Sequence, residues 1–263
     1  MASTNPVLSK AFPEQAGFRT TPDQAPYGGM PPAGTTERLT LDDVVMHTGG
    51  LLLLLVAVAT VAWNVVPEST GFSLVIPAAL LAVGIVIYTS IKRRVSPAAA
   101  IGYAVLEGVV VGVISRMYNN NFAGSDGSNK GIVLQAVVAS VAVFFGMLAL
   151  YQTGVIRATP KFRKVIITAT MGIALTYLIS IGMNLFGRDM PLLNSSSNLG
   201  ILVSVVIVVI AALNFILDFD TIEKAVAAGA PREFAWAAAL GLIVTLVWLY
   251  LEMLRLLSKL QSR

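Results

Sequence analysis

The sequence predicts an all-α polytopic membrane protein with seven transmembrane helices, and three observations predict it. Charged residues are only 12% of 263, about half the share of a soluble domain, while 56% are hydrophobic and mean hydropathy is +0.78. Apolar runs of about 20 residues recur along the chain, each long enough to cross a hydrocarbon core of roughly 30 Å at 1.5 Å per residue. Turn residues punctuate the joints between runs, and runs of this length without alternating polarity exclude barrel strands.

In chain order, residues 1–43 are predicted to be a disordered, Pro/Gly-rich cytoplasmic tail ahead of a membrane domain over 44–263. Six of the twelve prolines lie there, with Gly28-Gly29 and Gly34, so the stretch cannot bury enough apolar surface to offset its ordering entropy. No apolar core of a signal peptide precedes Val44. Thr40-Leu41-Asp42-Asp43 resembles a capping box that opens the first helix. The predicted spans are Val44–Val66, Phe72–Ile91, Pro97–Met117, Gly131–Gln152, Phe162–Phe186, Leu199–Phe219 and Phe234–Leu257. Between them stand Pro67-Glu68-Ser69, Arg94-Val95-Ser96-Pro97, the stretch from Asn119 to Asn129, Pro160, Pro191 and Gly229-Ala230-Pro231.

Lys and Arg placement sets the orientation. With the N-terminus inside, the inner segments hold twelve of the 18 basic residues and the outer segments six, which predicts N-in and C-out. The basic C-terminus, with Arg255, Lys259 and Arg263, is discordant, and a re-entrant seventh segment would remove that discord. The net charge of +4 is no nucleic-acid signature, because the basic residues flank apolar runs. Absent cysteine removes disulfides and thiolate chemistry, and a lone histidine, His47, excludes sites that need two. No HExxH, no GxSxG and no cofactor motif is present, so neither an enzyme nor a cofactor-dependent protein is expected. No internal repeat marks an inverted-repeat transporter, and no mid-span lysine in the last helix suits a Schiff base.

Ionisable groups at membrane depth are costly and usually face a protein interior or a water-filled cavity. The candidates are Glu107, Asp218, Asp220 and Glu252. Asp218 continues a small and polar stripe, Ser204, Ile207, Ala211 and Asn214, predicted to face inward. Asp220 lies about 200° round the helix behind Val206, Val209, Leu213 and Ile216, an apolar stripe predicted to face lipid, with Lys224 four residues on as its partner. Glu252 sits in the stripe Gly241, Thr245, Trp248, Glu252, Arg255, Lys259 and is spaced to pair with Arg255. Glu107 stands near mid-bilayer, either as a hydrogen-bonded neutral carboxyl or as a pathway group, beside a Gly108-to-Gly112 GxxxG pattern that permits close helix contact. His47 is expected at the interface, and Asp126-Gly127-Ser128-Asn129 reads as a turn rather than a calcium loop.

Ile216-Leu217-Asp218-Phe219-Asp220-Thr221-Ile222-Glu223-Lys224 and Trp248-Leu249-Tyr250-Leu251-Glu252 resemble the sixth and seventh spans of the Bax inhibitor-1 family. Gly102-Tyr103-Ala104, Glu107-Gly108 and Lys92-Arg93-Arg94 fit as well, and the long tail is similar to a bacterial branch. The resemblance implies a seven-helix fold with the last helix central among the other six, in a bacterial cell membrane. It also implies an acid-sensitive leak for Ca²⁺, with lipid, Ca²⁺ or protons and a possible membrane protein as partners. In that family a carboxylate of the sixth span and one of the seventh share a proton, and an arginine ending the second span latches the first. Carried over, the pair is Asp218 with Glu252, Asp220 being the alternative to Asp218, and the latch is Arg93 between Lys92 and Arg94. Two close carboxyls in a low-dielectric interior cannot both ionise cheaply, so protonation would bias two helix arrangements. The spacing departs from this expectation: Asp218 and Glu252 are 34 residues apart, and a hairpin turning near Ala230 sets Glu252 opposite about Val208, roughly 15 Å from Asp218.

Overall fold

The computed structural model describes residues 37–92, 94–121, 131–185 and 197–262. Seven helices follow one another: α1 (Leu41–Val65), α2 (Glu68–Lys92), α3 (Pro97–Asn121), α4 (Ile132–Gln152), α5 (Pro160–Leu185), α6 (Asn198–Ala227) and α7 (Phe234–Gln261). All seven are long and apolar enough to cross a membrane, and no strand forms among the described residues. The chain is an all-α integral membrane protein.

Helix starts follow local chemistry. The capping box opens α1 as predicted: Thr40 Oγ1 accepts from the Asp43 N–H at 3.1 Å, and Asp43 Oδ2 accepts from the Thr40 N–H at 3.1 Å. Pro97 and Pro160 take the first positions of α3 and α5, where a missing N–H costs nothing. Ser197 caps α6 by accepting from the Gly200 N–H at 3.2 Å. After α6, Gly229 at φ +66° turns the chain towards α7.

Residues 37–40 are not loose. The Leu39 N–H donates to the Ala230 carbonyl and the Arg232 N–H to the Glu37 carbonyl, both at 2.8 Å. Arg232 adds an ion pair with Glu37 and another with Asp43 at 2.8 Å, and these bonds, Glu37 first, raise the guanidinium pKa above its ordinary value. The start of α1 and the α6–α7 turn therefore share one end of the bundle, here the near end. Successive helices alternate, which puts the α2–α3 and α4–α5 joints at the near end as well.

Helix α7 is the most buried span and packs on α1, α3, α4 and α6. Its centrality matches expectation with four close backbone neighbours rather than six, because the α2 backbone approaches only α3 and the α5 backbone only α6, α5 reaching α7 through the Tyr177 side chain. The tightest contact lies between α1 and α3. A methyl group added at Gly108 would stand 2.8 Å from both the Leu55 carbonyl oxygen and Val58 Cβ, so glycine there lets the backbones meet.

Helix α6 runs eight residues past its predicted end at Phe219. Hydropathy falls where Asp220, Glu223 and Lys224 begin, yet an Asp220–Lys224 pair one turn apart continues the helix. The α7 helix likewise continues to Gln261 as one 28-residue segment, about 42 Å long, without the break a re-entrant segment needs and long enough to span.

Candidate functional site

Polar side chains in the membrane domain line up between α5, α6 and α7. On α5, Arg163, Thr170 and Tyr177 recur every seven residues, which places them on one face two turns apart. Thr245, Glu252 and Lys259 repeat that spacing on α7. Helix α6 supplies the facing groups. At the near end, Asp220 Oδ2 takes Arg163 at 2.6 Å and Lys224 at 2.7 Å. One level deeper Thr245 Oγ1 donates to Asp218 Oδ2 at 2.7 Å, and Asn214 Nδ2 donates to Thr170 Oγ1 at 3.0 Å. Towards the far end, Tyr177 donates its hydroxyl proton to Glu252 Oε1 at 2.5 Å. Trp248 Nε1 donates to the same oxygen at 3.3 Å. Arg255 pairs with Glu252 Oε2 at 3.3 Å and stacks its guanidinium 4.9 Å from the centre of the Tyr177 ring. Last comes Lys259, whose ammonium donates to Ser204 Oγ at 2.7 Å and to the Gly200 carbonyl at 3.0 Å. From Asp220 to Ser204 the seam covers sixteen residues of α6, about 24 Å of a roughly 30 Å core.

The register of α6 on α7 decides where the expected carboxyl pair falls. Fourteen residues separate Asp218 from Ser204, and fourteen separate their partners Thr245 and Lys259, so both contacts obey one antiparallel register. Glu252, midway between Thr245 and Lys259, then faces Ala211, not Val208, and stands seven residues, about 10 Å, from the level of Asp218. No hydrogen bond joins the two carboxyls in this arrangement. Asp218 meets a threonine hydroxyl on α7, and Glu252 turns to α5 and to Arg255, the partner its spacing predicted.

Asp220 also differs from expectation. Val206 and Val209 are half exposed and face outward as predicted, but Ile216 is fully buried and Asp220 is only 8% exposed. The near-end half of this stripe turns into the protein because α5 lies against it and delivers Arg163, beside the predicted Lys224. The inward stripe is as read: Ser204, Ile207 and Ala211 are buried and Asn214 and Asp218 half-buried. Glu107 is half-buried and its carboxyl makes no hydrogen bond among the described residues. His47 Nδ1 donates to the Asp43 carbonyl at 2.6 Å, and the ring meets Trp236 edge-on at 4.5 Å, a near-end anchor as expected. Arg93, the latch by resemblance, lies outside the described residues, as do residues 1–36 of the tail and the turn at Asp126 to Asn129.

A near-end hollow of about 690 Å³ adjoins the seam, with Asp220, Glu223 and Arg157 among its walls. Tyr151 donates its hydroxyl to Glu223 across it. Fold and seam thus combine a buried last helix, an acidic sixth helix and a basic near end. A profile of the Bax inhibitor 1 like family matches residues 5–262, nearly the whole chain. The chain belongs to that family. No curated protein matches it at a significant level.

For this Bax inhibitor 1 like chain, no group of three His, Cys, Asp or Glu side chains among the described residues could hold a metal ion. What the seam offers instead is single carboxylates at separate depths, each held by donors. Such an arrangement can exchange protons and pass a cation between stations only if the donors let go. Sequence reasoning placed the carboxylates but missed Arg163, Thr170 and Tyr177. Their seven-residue recurrence on α5 is the signal that would have found them, and Arg163 was counted only for topology.

Proposed function

We propose that this protein is a pH-sensitive cation leak, with Ca²⁺ as the preferred cargo, and that the passage runs along the α5–α6–α7 seam. One observation carries the reading: polar contacts at four levels line the interface between three helices over most of the membrane depth. In the arrangement described, the seam is closed at both ends. Arg163 and Lys224 neutralise Asp220 at the near end, while Arg255 and Tyr177 hold Glu252 deeper in. Protonating Asp220 removes the charge that retains Arg163 of α5, and protonating Glu252 weakens its hold on Tyr177 of α5 and on Arg255 of its own helix. Helix α5, whose backbone approaches only α6, is then held more weakly on its neighbours. Gating thus uses Asp220 and Glu252, with Asp218 as a further station between them rather than half of a shared-proton pair, and oxygen-only ligands suit Ca²⁺. The twelve-to-six distribution of basic residues supports a cytoplasmic near end in a bacterial cell membrane.

The test is flux. Purified protein in liposomes loaded with a Ca²⁺ indicator is expected to leak Ca²⁺ with a pH dependence that Asp218→Asn and Glu252→Gln each change. Liposomes with no flux at any pH would sink the proposal. A second reading, a non-conducting membrane protein that regulates a membrane protease or stress response, draws on Lys259. Its ammonium is buried within the seam, and a fixed cation there opposes a passing one. A partner recovered by crosslinking, with no flux and full tolerance of Asp218→Asn, would favour it.

A further inference from the structure

Lys259 ends the seam with an ammonium that is buried, its residue only 5% exposed, and that pairs with no carboxylate among the described residues. Glu252, two turns back on α7, is already held by Arg255 and Tyr177. The ammonium donates instead to the Gly200 carbonyl at 3.0 Å and to the Ser204 hydroxyl at 2.7 Å, both on α6. Buried charges are normally retained by an opposite charge. Here two neutral oxygens do the holding.

The contact joins two helix ends. Gly200 lies in the first turn of α6 and Lys259 in the last turn of α7, so the ammonium spans the far mouth of the seam. The carbonyl end of the α7 dipole favours a cation there, whereas the amide end of α6 disfavours one. The seat is therefore a compromise that holds the ammonium without locking it. On the other side of α7, Gln261 Nε2 donates to Gln135 Oε1 of α4 at 3.2 Å and ties down the helix end. What is left to move is the flexible four-carbon stem of Lys259.

The ligands of the ammonium matter as much as its place. A backbone carbonyl and a hydroxyl are the neutral oxygens that hard metal cations take as ligands. Lys259 thus occupies the last oxygen station of the seam, where a passing cation would pause. While it is seated, repulsion between like charges in a low-dielectric surrounding keeps a second cation out.

We infer that Lys259 is a tethered plug: its ammonium fills the far-end oxygen station at Gly200 and Ser204, and a cation passes along the seam only when that side chain swings out. The inference rests on the conduction reading and deepens it, naming the group that limits the leak. A cation on a flexible stem opposes passage only while it is seated, so a buried lysine and a leak are compatible.

The test compares Ca²⁺ flux through the full-length protein and three variants in liposomes loaded with a Ca²⁺ indicator, with circular dichroism to confirm that each variant is folded. Lys259→Met, close in volume and uncharged, is expected to raise the leak at least about tenfold, the weight of a single hydrogen bond to a charged group. Ser204→Ala removes one of the two acceptors and should raise it by less, and it serves as the test if Lys259→Met does not fold. Ser204→Asp gives the ammonium a carboxylate partner and should slow the leak below the wild-type rate, an effect that loosened packing would not produce. A wild type that leaks, with folded Lys259→Met and Ser204→Ala leaking no faster, would overturn the plug and leave the conduction reading standing. Ser204→Asp leaking as fast as Lys259→Met would also overturn it. No flux through any of the four proteins would overturn the conduction reading, and the plug with it.

Discussion

Replacing Gly112 by alanine adds one methyl group where α3 lies against α1. That methyl would stand 2.9 Å from Ala59 Cα and 3.0 Å from its carbonyl carbon, with the Ala59 carbonyl oxygen nearer still, whereas ordinary contact begins at 3.4 Å. All three atoms are backbone, so no side chain can swing aside, and the helices must part by roughly half an ångström or more. A gap of that size forfeits about a quarter of the dispersion well for each facing atom pair, and overpacking of this kind costs about 1–3 kcal/mol. Gly146 on α4 is the internal control, because a methyl there meets nothing within 4 Å. Gly146→Ala is expected to be neutral or to stabilise by up to about 1 kcal/mol through helix propensity. Equilibrium unfolding in mixed micelles with a rising SDS fraction, followed by circular dichroism, compares the two variants directly. The folded-to-unfolded ratio should drop by about 5- to 150-fold for Gly112→Ala relative to wild type. If Gly112→Ala proves as stable as Gly146→Ala, the close α1–α3 approach is wrong.

Three further outcomes follow from the contacts. Tyr177→Phe leaves the buried Glu252 short of its best donor and should cost about 1–3 kcal/mol in the same unfolding assay, with Leu178→Ile on the neighbouring exposed face near zero. A Ser115/Tyr250 double-mutant cycle should return a coupling of about 1 kcal/mol for the buried 2.6 Å hydrogen bond, and additivity would show that bond absent. Arg163→Ala should cost no more than about 1 kcal/mol and less at high salt, because the Arg163 side chain is 42% exposed and Lys224 still neutralises Asp220. A loss above about 3 kcal/mol would mean that Asp220 depends on Arg163 alone.

Hydropathy made the spans legible, because a bilayer demands uninterrupted apolar length and the chain supplies it seven times. Helix ends were less legible: α6 continues through Asp220 and Lys224 on backbone hydrogen bonds that hydropathy does not report. The site divides in the same way. Helix-face periodicity put Asp218 and Glu252 on inward faces, since period alone determines a face. Partner choice between helices depends on register and on which helix lies alongside. No one-helix pattern shows that Asp218 meets Thr245 or that Tyr177 and Arg163 reach in from α5. Asp220 shows why: its outer face is covered by α5, which only the packing of helices brings alongside.

The pairing of residues 37–40 with the α6–α7 turn has a mechanical consequence. A load applied to the chain before Glu37 meets two backbone hydrogen bonds and Arg232 before it meets the first turn of α1. Arg232 grips Asp43 as well, so the junction acts as a clasp. A tug on the chain at Glu37 reaches the first turn of α1 through Asp43 and, through the same arginine, the hinge joining the two helices that carry Asp218 and Thr245. Whatever takes hold of that segment has a lever on the seam.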